Sequence, residues 1–298
     1  AGRGPRTIGP AEAEGRGAMT GTDTRASASP TPPPPNSTAT ARPVDALTPA
    51  VGAALAGLLL TLADDEFVVG FADSEWTGIA PLLEEDVAMS SLAQDELGHA
   101  RAFYGLLGDL VGDDPDHLAY DRPPEEFRHC RLLDHPRGDW AFTIARRYLY
   151  DTADSARLEA LADSSYKPLA ELVAKIRREE RYHLMHVGAW LRRLVSIEGE
   201  PRDRLSAALE TLAADAASVF APIPGEGELL ASGVLPVSML ELRDRWLAMV
   251  EPTLTDLGLP VPSPDGARSG AREDHSDAFR WLWTEFTMVR KIDPEATW

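Results

Sequence analysis

Hydrophobic and polar positions follow a helical period through most of the chain after residue 48. Four long amphipathic segments stand out, at about 48–74, 80–112, 138–164 and 167–197. Further helical patterns follow at about 201–219, 236–256 and 274–290. Pro81 and Pro168 lie near the starts of the second and fourth long segments, where proline is tolerated. The pattern predicts an all-α fold, a four-helix bundle with additional C-terminal helices.

The first 45 residues have a different composition. Gly/Arg-rich sequence is followed by Ser, Thr and Ala and then by a proline run from Pro32 to Pro35, without apolar periodicity. We therefore predict a disordered N-terminal tail at 1–45 and one helical domain at 46–298. Met19, within the tail, is a candidate for the native start.

Composition and charge restrict the possible functions. Hydrophobic residues make up 44% of the chain, but no stretch is long and apolar enough to suggest a transmembrane helix, and no signal peptide is recognised. Cys130 is the only cysteine, which excludes an intrachain disulfide and a cysteine-based metal site. A net charge of −19 argues against a nucleic-acid partner. We expect a cytoplasmic protein without nucleic-acid or membrane partners.

Two of the long segments contain the tetrapeptide Glu-x-x-His, at Glu96–His99 and Glu180–His183. Residues i and i+3 share one helix face. Both pairs also interrupt otherwise apolar stripes, formed by Leu92, Phe103, Leu106 and Leu110 in one helix and by Val173, Ile176, Val187, Trp190 and Leu194 in the other. A carboxylate buried alone is costly, so the repeated pattern indicates a compensating cation.

The other two long segments each supply a carboxylate. Glu66 interrupts the stripe of Leu55, Leu59, Leu62 and Val69 and is its only charge, and Asp151 lies on a face marked by Ile144, Ser155 and Leu158. The spacing is similar in both halves, because Glu66 precedes Glu96 by 30 residues and Asp151 precedes Glu180 by 29. Oxygen and nitrogen ligands without thiolate suit iron or manganese. The six residues therefore predict a dinuclear centre with two iron ions, manganese being possible.

Several other polar residues have two interpretations. Asp154, and after it Asp95 and Gln94, could hold the outer nitrogens of the ligand histidines, or could belong to a solvated helix flank. We interpret His186 as a flanking residue and expect His117, His129, His135 and His275 to face solvent. The basic residues at about 175–193 could contact the phosphates of coenzyme A or form a solvated or intersubunit face. A metal-free polar core in a scaffolding protein is the alternative to the metal centre as a whole.

Several motifs resemble the phenylacetic acid catabolic family. The similarity extends over about residues 50–298 and is carried by 73–81 (DSEWTGIAP), 93–101 (AQDELGHAR), 139–146 (DWAFTIAR), 180–184 (ERYHL) and 296–298 (ATW). It implies a ferritin-like fold and a component of the multicomponent monooxygenase that epoxidises phenylacetyl-CoA. The chain looks most like the C-type component of this family, which pairs with a homologous catalytic component of the A type and receives electrons through the reductase of the complex.

The resemblance implies a structural role for the C-type component, whereas all six ligand positions in this sequence carry ligand-competent side chains. Two alternatives stay open. One is a stand-alone di-iron oxygenase acting on another acyl-CoA, and the other is a ferritin-like protein that stores iron or removes peroxide. The predicted helices after residue 200 argue against the latter, because a compact four-helix bundle usually suffices for that function.

Overall fold

The computed structural model describes residues 47–268 and 270–293. The predicted tail at 1–45 and the C-terminal motif at 296–298 lie outside these ranges. Within them the chain forms nine α-helices and no β-strand, which confirms the all-α prediction. The helices are α1 (Pro49–Ser74), α2 (Leu83–Val111), α3 (Pro115–Tyr120), α4 (Trp140–Leu161), α5 (Lys167–Ser196), α6 (Glu200–Leu212), α7 (Glu226–Ser232), α8 (Met239–Asp256) and α9 (Asp277–Ile292).

Local capping signals set the ends of the bundle helices. The side chain of Thr48 accepts the Val51 N–H at the start of α1, and Asp139 accepts the Phe142 N–H at the start of α4. Gly112 ends α2 in the left-handed conformation, at φ +78°. The four long predicted segments therefore agree closely with α1, α2, α4 and α5.

The shorter elements differ from the sequence-based prediction. Helices α3 and α7, of six and seven residues, were not expected, because so few residues show no clear helical period. The segment predicted at 201–219 breaks after Leu212, and Ala216–Phe220 forms a 3₁₀-helix.

Two helical hairpins form the bundle. Helix α1 packs along α2, α4 packs along α5, and α2 also contacts α5. The hairpins are joined across α1 and α4 by side chains, since the Trp76 indole N–H donates to Thr143 Oγ1 at 3.0 Å and Arg157 Nη1 lies 2.6 Å from Asp65 Oδ2. Helices α6 and α8 contact α4, and α7 and α9 contact α1.

This arrangement encloses α1, which is buried on nearly every side from Ala54 to Asp73. Glu66 is therefore not the only buried charge of this helix, although it is the only one in the stripe named above. Asp64, Asp65 and Asp73 are also fully buried, and each contacts arginine. The ion pairs are Asp64–Arg122, Asp65–Arg157, Asp65–Arg272, Asp73–Arg146 and Asp73–Arg147.

Among the described helices, no segment has the length and apolar character that crossing a membrane would require.

Candidate metal centre

The bundle interior brings together the six residues that the sequence singled out as metal ligands. Each of the four long helices contributes, and all six side chains are buried, with exposures of 0–4%. Helix α1 supplies Glu66, α2 supplies Glu96 and His99, α4 supplies Asp151, and α5 supplies Glu180 and His183.

Four of these residues converge closely. His99 Nδ1 lies 3.4 Å from Glu66 Oε2, 3.6 Å from Glu96 Oε2 and 3.5 Å from Glu180 Oε1. One ligand atom from each residue lies within 4.8 Å of all the others. Glu66 Oε2, Glu96 Oε2, His99 Nδ1 and Glu180 Oε1 are buried without a hydrogen-bond partner, as are both carboxylate oxygens of the neighbouring Asp151. Buried polar atoms are normally paired, and four unpaired ligand atoms around one point fit a single cation. We refer to these four residues as the α2-side site.

Asp151 and His183 lie beside this cluster, on the other side of Glu96, and they contact an arginine. Arg147 Nε lies 3.0 Å from Asp151 Oδ1, and Arg147 Nη2 lies 3.3 Å from His183 Nδ1. The same guanidinium donates from Nη1 to Glu96 Oε1. Arg147 is 99% buried, so this cation belongs to the interior of the bundle.

Both histidines present Nδ1 to the centre and Nε2 to a carboxylate at its edge. His99 Nε2 lies 2.8 Å from Glu179 Oε2, and His183 Nε2 lies 3.4 Å from Asp95 Oδ2. Such outer contacts fix the ring orientation of metal-binding histidines. Asp95 thus contacts a histidine nitrogen, which is one of the two interpretations that the sequence left open for it. Asp154 forms an ion pair with Arg157 instead, at 2.5 Å.

The carboxylates give the centre a strong preference for positive charge. Burial alone lowers the pKa of His99, but Glu66 and Glu96 outweigh it and raise that pKa to about 12. Glu96 and Glu180 similarly raise the pKa of His183 to about 11, against the effect of burial. Burial and the charge of Glu96 raise the pKa of Glu66. Groups that hold a proton this tightly also attract a metal cation, which competes with the proton for the same atoms.

Arg147 and Glu179 were not expected in the centre from the sequence. Arg147 follows Ile144 by three residues and precedes Asp151 by four, so it lies on the helix face that was assigned to the core. That spacing was the available signal. Glu179 had no comparable signal, because it lies beside Glu180 at the edge of the core stripe and is partly exposed.

A second buried cluster lies at the start of α9. His129 Nε2 lies 2.8 Å from Asp134 Oδ1, the His129 and His275 rings stack at 4.3 Å, and Asp134 Oδ2 accepts the Ser276 N–H. The expectation that His129 and His275 face solvent was wrong, because α9 packs over the segment that carries His129. These contacts hold the start of α9 against the preceding loops.

Two of the cavities in the described structure lie between long helices of the bundle. One of about 280 Å³ lies between α4 and α5 and reaches Glu180, and Arg177, Arg178 and Arg181 contribute to its wall. The other, of about 660 Å³, lies between α1, α2, α3 and α9, and none of the six predicted ligands lines it. The basic face of α5 thus borders the only one of these two cavities that reaches a candidate ligand.

Comparison with known proteins agrees with the resemblance noted in the sequence. The family model for "Phenylacetic acid catabolic protein" matches residues 37–298. The C subunit of 1,2-phenylacetyl-CoA epoxidase from Escherichia coli (strain K12) is 30% identical over 246 residues, which cover 82% of this chain and 99% of that protein. The A subunit of 1,2-phenylacetyl-CoA epoxidase from the same strain is 23% identical over 257 residues, covering 77% of this chain and 83% of that protein. The resemblance is therefore confirmed.

Proposed function

Because the chain belongs to the phenylacetic acid catabolic protein family, we propose that it is the C-type subunit of a phenylacetyl-CoA epoxidase. In this role it supports a homologous catalytic subunit of the A type, and a reductase delivers electrons within the same complex. The observation that carries this proposal is the full-length similarity to the C subunit of the E. coli enzyme, at 30% identity over 99% of that protein, against 23% identity to the A subunit. The cytoplasmic location expected from the sequence stays a prediction.

The α2-side site supports the further proposal that the chain binds a metal ion of the iron or manganese class. Three carboxylates and one imidazole, without thiolate, form a ligand set that these metals accept. When iron is bound by such groups in a protein, it supplies reactivity toward dioxygen. The residues of this chain would hold the ion, fix the orientation of the His99 ring through its contact with Glu179, and keep water out of the bundle. The sequence-based expectation of two iron ions is one that the contacts of Arg147 argue against.

An exposed apolar surface supports the proposal of a protein partner. Leu83 and Val87 on α2 and Tyr182 and Met185 on α5 are 63–76% exposed. The two helices meet beside them, where His186 Nε2 lies 2.7 Å from Glu85 Oε2. We call these four residues the α2/α5 surface. Grouped exposed apolar side chains commonly mark protein interfaces, and we propose this surface for contact with the catalytic subunit.

Co-purification with the catalytic subunit tests this role. The tagged chain, co-expressed with the reductase and an A-type subunit, should retain the A-type subunit in the purified complex and support phenylacetyl-CoA-dependent oxidation of reduced nicotinamide cofactor. Met185→Glu should weaken that retention, because it places a charge within the α2/α5 surface. Met249→Glu is the matched control, since Met249 is 51% exposed on α8, away from the proposed interface. Equal retention of the A-type partner by both variants would contradict the proposed contact.

The alternative of a stand-alone oxygenase is separated by turnover. As a supporting subunit the chain alone should be inactive, and Glu180→Ala should leave the turnover of the reconstituted complex unchanged. Turnover of an acyl-CoA by the isolated chain, lost in Glu180→Ala, would favour the stand-alone enzyme instead.

A further inference from the structure

The guanidinium of Arg147 lies among Glu96, Asp151 and His183. Glu66, Glu96, His99 and Glu180 each have one buried ligand atom without a hydrogen-bond partner. Both oxygens of Asp151 also lack a hydrogen bond, but Asp151 Oδ1 and His183 Nδ1 lie 3.0 Å and 3.3 Å from nitrogen atoms of Arg147. We propose that this chain binds one divalent metal ion, at the α2-side site, and that Arg147 is a built-in cation in place of a second ion. This inference deepens the proposed function but is tested separately from it.

The distances around Arg147 leave no space for a second metal ion beside Asp151 and His183. A transition-metal ion lies about 2.0–2.2 Å from its nitrogen and oxygen ligands. Ligands of a second ion would have to include His183 Nδ1 and an oxygen of Asp151, and these atoms lie 3.3 Å and 3.0 Å from nitrogen atoms of Arg147. The guanidinium therefore fills the space among them, and a second ion could enter only if Arg147 left.

The positive charge of Arg147 also opposes a second metal ion. Arginine does not lose its proton in proteins, so Arg147 is a permanent cation. A dication beside this guanidinium would meet electrostatic repulsion in a buried region, where screening by water is weak. Moving Arg147 away would in turn leave a charged side chain to be placed elsewhere in the closed bundle.

The arginine contacts of the buried carboxylates differ between the α2-side site and the rest of the described structure. Among the fully buried carboxylates of the described residues, those outside the α2-side site all contact an arginine. Within the site, Glu96 contacts Arg147 through Oε1 and leaves Oε2 unpaired. Glu66 and Glu180 contact histidine but no arginine. Among the fully buried carboxylates of the described residues, Glu66 and Glu180 are thus the two that no arginine contacts.

The test is a count of bound ions under anaerobic conditions. Purified chain is dialysed against Mn(II), and separately against Fe(II), and metal per chain is measured by elemental analysis. The native chain should bind one ion, and the Mn(II) sample should give the electron paramagnetic resonance spectrum of an isolated ion. Arg147→Ala should bind two ions and give the spectrum of an interacting pair. Glu66→Gln should bind the metal ion at least tenfold more weakly than the native chain does.

Arg146→Ala is the matched control. Arg146 is the neighbouring buried arginine of α4 and pairs with Asp73 at 3.1 Å, without contacting any of the six ligands. It should leave the count at one. Two ions in the native chain, none in the native chain, or an unchanged count in folded Arg147→Ala would overturn the inference.

Crystals of the native chain soaked in Mn(II) give a readout that needs no folded variant. Anomalous scattering should show one peak, among Glu66, Glu96, His99 and Glu180, with Arg147 still against Asp151. A peak between Asp151 and His183 would overturn the inference. Neither result depends on the catalytic subunit, so failure here is distinct from failure of the proposed role, which co-purification and turnover decide.

Discussion

Asp65 offers the sharpest test of how the interior of this bundle is stabilised. Its carboxylate is fully buried and lies 2.6 Å from Arg157 Nη1 and 2.9 Å from Arg272 Nη1, and it also accepts the backbone N–H of Cys130 at 2.6 Å. Asp65→Asn keeps the volume but removes the charge. An amide oxygen could still accept from Cys130, whereas the amide nitrogen would face donors.

The stability that Asp65→Asn should lose follows from the partners left to the two arginines. Arg157 retains Asp154 as a partner, but Arg272 loses its only carboxylate contact in the described structure and keeps only carbonyl acceptors. Breaking one side of a buried ion pair costs about 3–5 kcal/mol. At about 2–4 °C per kcal/mol for a chain of this size, the melting temperature should fall by about 6–20 °C. Urea denaturation followed by circular dichroism measures the free energy directly.

A double-mutant cycle separates charge from packing. Adding Arg272→Met to Asp65→Asn removes the stranded cation, so the double variant should be at least as stable as Asp65→Asn alone. The control is the exposed pair Asp121–Arg290, for which Asp121→Asn should cost at most about 1 kcal/mol. A loss below about 1 kcal/mol for Asp65→Asn, or additive effects in the cycle, would refute the reasoning.

The pH dependence has a definite sign. Burial alone raises the pKa of Asp65, but Arg272 and Arg157 outweigh it and lower the pKa below 3.8. The unfolded state therefore takes up the proton first on acidification. The stability that the charged Asp65 confers is complete above the unfolded pKa and is lost as the pH falls through the folded pKa. The difference between native chain and Asp65→Asn should stay constant from about pH 8 to 5 and narrow below about pH 4.

Three further predictions follow from other parts of the structure. Burial lowers the pKa of His129 below 6.5, so the unfolded state binds the proton first and the protein should lose stability as the pH falls below about 6.5. In His129→Gln the urea midpoint should depend less steeply on pH over this range. An unchanged pH dependence of the midpoint would contradict the prediction. A Cβ at Gly70 would lie 3.0–3.1 Å from side-chain atoms of α2, including Glu96, so Gly70→Ala should lower the free energy of unfolding by about 1–3 kcal/mol in urea denaturation. Gly57→Ala, whose Cβ would have only a 3.8 Å contact, should raise it by up to about 1 kcal/mol. Equal effects of the two substitutions would contradict this packing. Cys130 is fully buried and burial raises its pKa, so a thiol reagent should label it only on unfolding, and rapid labelling of the native chain would disagree with its position.

Periodicity predicted the four bundle helices and the convergence of Glu66, Glu96, His99 and Glu180, because both depend on residues spaced along single helices. A buried residue that recurs every three or four positions is visible in the sequence without knowledge of its partners. The similar spacing of the two hairpins then indicated that the carboxylates would face one another. Whether a metal binds them stays a prediction.

The ion pairs that surround α1 were not visible in the same way. Asp65 and Arg272 are 207 residues apart, and nothing in the local pattern of either segment indicates the contact. Likewise, the burial of His129 depends on the packing of α9, which local sequence does not determine. Helix α1 was expected to have one polar side, and its complete enclosure follows from the later helices α7 and α9.

Arg147 shows how one residue changes the interpretation of a whole ligand set. Each of the six ligand residues is chemically competent, so a comparison of ligand positions alone would assign two ions and an oxygenase-type centre. The guanidinium between Glu96 and Asp151 divides that centre, because a group that cannot be deprotonated places a positive charge in half of it whatever the metal supply. Such a chain keeps the buried charges, and hence the bundle, that a homologous partner can pack against. It gives up the adjacent pair of ions, which agrees with a supporting role better than with a catalytic one.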